Sequence, residues 1–192
     1  MAGQETTATT LYWALAYLLL NPKAMEKLRT ELDSVVGRSR AVTLGDRPKT
    51  PYLTAVVQET LRVSSIIPMN LWRVADEDVM VGSYLIRKGA VVAMIMSGIM
   101  NDKQNFKEPE TFYPDRFLQG ESDQYVVPFS LGKRACIGEA LARAELYLII
   151  GNMVHSYNFE AVEDALPKMN ALQEDGSLRT AQPYKARVSR RK

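Results

Sequence analysis

Phe129-Ser130-Leu131-Gly132-Lys133-Arg134-Ala135-Cys136-Ile137-Gly138 constrains this chain more than any other stretch, because it sets the sole cysteine directly before a long apolar-periodic run. Leu141, Ala144, Leu148 and Ile149 recur at helical spacing in that run, which predicts a helix over residues 138–156. A cysteine at a helix start, beside Arg134 and Lys133, stands where thiolate is favoured over thiol, and thiolate is the form that ligates metal. Gly132 and Gly138 leave room for a flat ligand pressed against the backbone, and Phe129 supplies an aromatic wall. The plain alternative is that Cys136 is a small buried hydrophobe, as single cysteines commonly are.

Counts of other residues narrow the field. One cysteine excludes an internal disulfide, and one histidine, His155, leaves no clustered zinc site. A formal charge of +2 makes no case for nucleic acid, so the basic residues 187–192 read as a solvated end. With 192 residues that are 46% hydrophobic, the chain can bury one sizeable core, which suggests one domain. The longest apolar run, residues 11–20, falls well short of the roughly 20 residues that span a bilayer, and reads as a buried helix.

In chain order, residues 3–20 carry helical periodicity, with Leu11, Leu15, Leu18 and Leu19 on one side. The helix starts without a capping lead-in, which reads as a fragment of something longer. Asn21-Pro22 opens a second helix with Met25, Leu28, Leu32 and Val35 inward. Residues 37–49 read as loop. Thr50-Pro51 opens a third helix, threonine capping, with Leu53, Val56, Val57 and Leu61 as its apolar stripe. Glu59 and Arg62 share a face of it, as an ordinary surface pair would. Short β-like runs follow at residues 71–75, 79–81, 84–86 and 90–96, with turns at Gly82-Ser83 and Lys88-Gly89. Residues 101–124 read as loop; residues 159–162 and 184–188 read as closing strands with a hairpin through Asp175-Gly176. Glu145 and His155 are assigned structural roles.

Phe-x-x-Gly-x-Arg-x-Cys-x-Gly, met here by Phe129, Gly132, Arg134, Cys136 and Gly138, resembles the haem-binding loop of the cytochrome P-450 family, whose cysteine thiolate ligates haem iron. Glu59-Thr60-Leu61-Arg62 is similar to the family's Glu-x-x-Arg, Pro114-Asp115-Arg116-Phe117 to its Pro-x-Arg-Phe segment, and Ala2-Gly3-Gln4-Glu5-Thr6-Thr7 to its oxygen-binding groove. The pattern around Cys136 looks like that of the eukaryotic microsomal branch.

The resemblance implies a mainly α fold with small β-sheets (α+β), corresponding to the C-terminal half of the P-450 fold. Its expected parts are a truncated distal helix, a Glu-x-x-Arg helix, a β region, a meander, the cysteine loop and the proximal helix. Residues 1–192 are then a partial single domain, with the N-terminal half and membrane anchor outside this chain. The implied cofactor is haem b, iron protoporphyrin IX, with Cys136 as axial ligand, Arg73 and Arg134 on the propionates, and a buried triad of Glu59, Arg62 and Arg116 locking the loop beneath it. Thr6 is implied to hydrogen-bond dioxygen and Glu5 to relay protons, on a helix loosened at Gly3. The implied reaction inserts one atom of dioxygen into a lipophilic organic substrate. Electrons come from an NADPH-dependent reductase or cytochrome b5, docking on the Cys136 side near Lys133, in an endoplasmic reticulum membrane. Two alternatives stand beside it: a non-catalytic truncated fragment or haem-binding product, and a thiolate enzyme performing isomerisation or dehydration.

Overall fold

The structure, a computed structural model, describes residues 2–120, 123–169 and 178–191. Among the described residues are helices α1 (Ala2–Leu20), α2 (Pro22–Val35), α3 (Pro51–Ser64), α4 (Met96–Met100) and α5 (Glu139–Ser156). The strands are β1 (Arg73–Val74), β2 (Val79–Val81), β3 (Tyr84–Ile86), β4 (Val91–Val92), β5 (Tyr157–Ala161) and β6 (Ala186–Arg190). They pair only as antiparallel two-stranded sheets, β1 with β4, β2 with β3 and β5 with β6. The mainly helical class with small sheets is therefore as expected.

Helix α3 lies at the centre, packed against α1, α2 and α5. Its predicted stripe of Leu53, Val56, Val57 and Leu61 is buried, and so are Tyr52, Ala55, Glu59, Thr60, Arg62 and Ser64. A helix buried over most of its surface must satisfy most of its polar groups within the protein. Thr50 stands at its N-cap, but the hydroxyl does not cap. It donates to the Asp46 carbonyl at 3.1 Å and shares a 2.6 Å hydrogen bond with the Tyr147 hydroxyl. The orphan amides of Tyr52 and Leu53 donate instead to the Glu31 carboxylate of α2, at 2.7 and 2.9 Å.

The leucine side of α1 is only partly inward. Leu18 is buried, whereas Leu11, Leu15 and Leu19 are half-buried. Trp13, Ala14 and Tyr17 fill the core beside Leu18, since a ring buries more area than a leucine at the same contact. Tyr17 stacks on Phe112 at 5.0 Å, and the Trp13 indole donates to the Arg179 carbonyl at 2.8 Å. Met25, Leu28 and Leu32 of α2 are buried as expected, and Val35 is half-buried.

Four local readings need correction. Residues 37–49 hold a 3-10 turn, Leu44–Lys49. The Asp46 carboxylate fixes its start, accepting from the Thr43 amide at 2.9 Å and from both ends of the Arg40 fork at 2.7 Å. The run at 90–96 is strand only at β4; residues 96–100 then turn helical because Met96 and Met100, four apart, share a buried face. The first closing strand starts two residues before the expected position and the second two residues after it, with Tyr157 opposite Arg190 and Ala161 opposite Ala186. Finally, the basic tail is solvated along residues 187–190, as expected, but not at Arg191. Arg191 donates to Asp33 at 2.7 Å and to the Val154 and His155 carbonyls at 3.3 and 3.2 Å, so its cation covers the C-terminus of α5. The Asp175-Gly176 hairpin lies outside the described residues.

The β region is thinly covered. Leu71, Trp72, Val74, Met80, Val81, Tyr84 and Val91 are all exposed. Among the described residues, no helix is long and apolar enough to cross a membrane.

Candidate haem-thiolate site

A cavity of about 300 Å³ opens between α1, the C-terminal end of α3, β1 and the loop before α5. Its lining joins Thr6, Thr7 and Thr10 from α1, Arg73 from β1, and Phe129, Arg134 and Cys136 from the loop, with Leu61, Ile66, Ile67, Met96 and Leu146 as apolar walls. Residues 130 positions apart in sequence thus face one space.

The loop owes its shape to two left-handed residues. Gly132 has φ +74° and Ser130 φ +63°, with a 3-10 turn over Gly132–Arg134. A Cβ at Gly132 would meet nothing within 4 Å, so glycine is required there by conformation and not by space. Gly138 differs: its backbone is ordinary, and a Cβ would stand 3.9 Å from Cys136 Sγ. At the neck of the loop the Cys136 amide donates to the Phe129 carbonyl at 2.9 Å. Cys136 is exposed, so the expectation of a buried, inert thiol does not apply.

Glu59, Arg62 and Arg116 meet at close range with essentially no exposure. Arg62 donates Nε and Nη2 to the two oxygens of Glu59 at 2.8 and 2.9 Å, a bidentate fork, and Arg116 Nε donates to Oε1 at 3.1 Å. The Tyr113 amide adds a fourth bond at 2.9 Å. The remaining guanidinium donors reach the carbonyls of Met100, Lys107, Glu108, Pro109 and Thr111. Phe106 stacks 4.9 Å from the Arg62 guanidinium. Glu59 and Arg62 are therefore no surface pair; the triad clamps residues 100–116.

Other expected site residues fall differently. Thr6 lines the cavity, while Glu5 is exposed and absent from its lining. No loosening marks Gly3, since α1 is helical throughout from Ala2, and the Thr10 hydroxyl bonds the Thr6 carbonyl at 2.9 Å. His155 is buried with Nε2 2.5 Å from the Gly37 carbonyl, and Glu145 accepts from the Thr7 hydroxyl at 3.4 Å. Sequence reading missed Thr7 and Thr10 in the lining, although both lie on the face of α1 that carries Thr6. It also missed the strained Ser130, for which the sequence carries no signal.

Residues 1–188 match the family described as Cytochrome P450. Cytochrome P450 2E1 of Oryctolagus cuniculus is 42% identical over 167 residues, covering 85% of this chain and 34% of its relative. The probable cytochrome P450 516A1 of Dictyostelium discoideum is 38% identical over 164 residues, covering 84% and 34%. A zebra fish cytochrome P450 solved with progesterone superposes with a TM-score of 0.90 at 36% identity, covering 98% of this chain and 44% of that one. The chain spans about a third of the length of the curated relatives it matches. By the family match over nearly all its residues, this chain belongs to the cytochrome P450 family.

Proposed function

We infer that this chain is the haem-binding portion of a monooxygenase that inserts one atom of dioxygen into a lipophilic organic substrate. The observation that carries the reading is the convergence of Thr6, Arg73, Arg134 and Cys136 on one cavity with apolar walls. This donor set fits haem b: one sulfur for an iron, two guanidiniums for two carboxylates, and aliphatic surface for a flat macrocycle. When bound, the haem supplies dioxygen activation, which an axial thiolate promotes.

Cys136 would hold the group from one side, on a loop shaped by left-handed Ser130 and Gly132. Arg73 and Arg134 would neutralise its carboxylates. Thr6 stands at the cavity on the side of α1, and Glu5, exposed one residue earlier, is the proposed relay residue. Ile66, Ile67 and Met96 favour a lipophilic guest. Lys133 is exposed beside Cys136, where it suits an acidic partner such as an NADPH-dependent reductase or cytochrome b5. The likeness to the P450 relatives supports an endoplasmic reticulum membrane location for the whole protein, with residues 1–192 as part of one of its domains.

A second reading, a haem-binding product without oxygenase activity, is favoured by the exposure of Leu71, Trp72 and Val74 in the β region beside the cavity. Reconstituting the full-length protein that carries residues 1–192 with haem and an NADPH-dependent reductase, then following labelled dioxygen into a lipophilic probe, separates the two. Label in the product supports the oxygenase; haem uptake without label supports the second reading. Failure of that protein to take up haem refutes both.

A further inference from the structure

The limbs of the cysteine loop are joined by more than the Cys136–Phe129 backbone bond. Residues 131–137 are exposed, so the loop has little burial of its own to hold it. Phe129 is the side chain at its neck that packs against the main core. On the other limb, one turn into α5, the Arg143 guanidinium lies 5.0 Å from the centre of the Phe129 ring. Arg143 Nε donates in turn to Glu139 Oε1 at 2.7 Å, a pair four residues apart with the acid N-terminal, the favoured order on a helix. Glu139 lies three residues after Cys136, and its amide donates to the Cys136 carbonyl at 3.4 Å. The sequence Glu139, Arg143, Phe129, Cys136 is therefore a closed circuit: carboxylate to guanidinium, guanidinium to ring, ring to its own carbonyl, and carbonyl to the cysteine amide.

We propose that Arg143 is a positioning residue for Cys136: held by Glu139, it pins the Phe129 ring and so fixes the neck from which the sulfur projects. A guanidinium over an aromatic face is held by the ring's quadrupole, and partial desolvation strengthens the contact. The side chain is 26% exposed, which leaves the cation partly shielded. Lysine keeps the charge but neither the plane nor the fork that reaches Glu139 and the ring together. The positioning role stands on the protein's own contacts. Its consequence for ligation rests on the proposed haem at Cys136.

Two measurements keep these apart. Hydrogen exchange of the Cys136 amide in the haem-free chain reads the neck directly. Arg143→Met is expected to speed that exchange about 3- to 10-fold, as loss of one partly shielded cation–π contact implies. Phe129→Leu does the same, and the double variant does no more than the larger single effect. Amides of α3 serve as the internal reference, and normalising to them removes any global loss of stability. In the haem-loaded chain, Arg143→Met is expected to move part of the ferrous carbon-monoxide spectrum from thiolate to thiol ligation, with Arg143→Lys restoring part of the band. Unchanged Cys136 exchange in Arg143→Met, or strictly additive single effects, overturns the positioning role. Faster exchange in a chain whose wild type shows no thiolate band upholds the positioning role and refutes the haem reading instead.

Discussion

Replacing Glu59 by glutamine removes the carboxylate charge shared by two guanidiniums that have essentially no exposure. In the native chain Oε1 accepts from Arg62, Arg116 and the Tyr113 amide, while Oε2 accepts from Arg62 Nε at 2.8 Å. An amide oxygen in the first position keeps three of these bonds. Its NH2 in the second position faces Arg62 Nε, donor against donor. Stranding buried charges by removing a partner costs about 3–5 kcal/mol. Because most hydrogen bonds survive, the expected loss is about 3 kcal/mol, a large share of the roughly 5–15 kcal/mol that keeps a domain folded. Urea unfolding followed by far-ultraviolet circular dichroism, with linear extrapolation, measures it. Arg116→Lys is expected to be destabilising too, since an ammonium cannot reach Glu59 and the carbonyls of Lys107, Glu108 and Thr111 together. As a contrast, Glu160→Gln removes a pair more than 60% exposed on both sides and leaves the midpoint in place. A Glu59→Gln loss below about 1 kcal/mol, the range of an exposed pair, refutes the buried-clamp reasoning.

Other outcomes follow from the same geometry. The Arg40 fork and the Thr43 amide hold the Asp46 carboxyl well below the usual carboxylate range. Its contribution is therefore full above the unfolded value near pH 4 and is lost as pH falls through the folded one; Asp46→Asn flattens the acid limb of stability between pH 7 and pH 3, read from urea midpoints. Gly132→Ala forces a Cβ onto φ +74° and costs about 1 kcal/mol, whereas Gly138→Ala, with an ordinary φ and only a 3.9 Å contact to Cys136 Sγ, leaves the urea midpoint unchanged. Arg191→Ala removes the bonds to Asp33 and the Val154 carbonyl but leaves Arg38 on the His155 carbonyl at 2.8 Å, and is expected to lose about 1 kcal/mol, while the exposed Arg190→Ala loses nothing measurable.

Much of this was legible in the residues because local rules and a dense motif agree. The stripe of α3, the start of α5, and the turns at Gly82 and Gly89, both with positive φ, follow from periodicity and backbone chemistry. The gathering of Thr6, Arg73, Phe129, Arg134 and Cys136 into one cavity came from the resemblance, since no local rule joins α1 to a loop 130 residues later. What stayed hidden is long-range or decided by competition. Spacing made Glu59 and Arg62 an ordinary pair until Arg116, 57 residues from Glu59, closed on them in the core. Thr50 looked like a cap, yet Tyr147 and Asp46 hold its hydroxyl while Glu31 takes the amides. Arg191 looked like one more charge in a basic tail, and only strand pairing through β6 brings it to α5. Glu5 was matched by motif, but the turn of α1 that carries Thr6 inward carries Glu5 outward.

The ligand atom itself provides the sharpest check. The haem-loaded chain is reduced under carbon monoxide, and its difference spectrum is compared with that of Cys136→Ser at equal haem content. A red-shifted thiolate band in the native chain that vanishes with the sulfur is the outcome required here; the same band persisting in Cys136→Ser would contradict it.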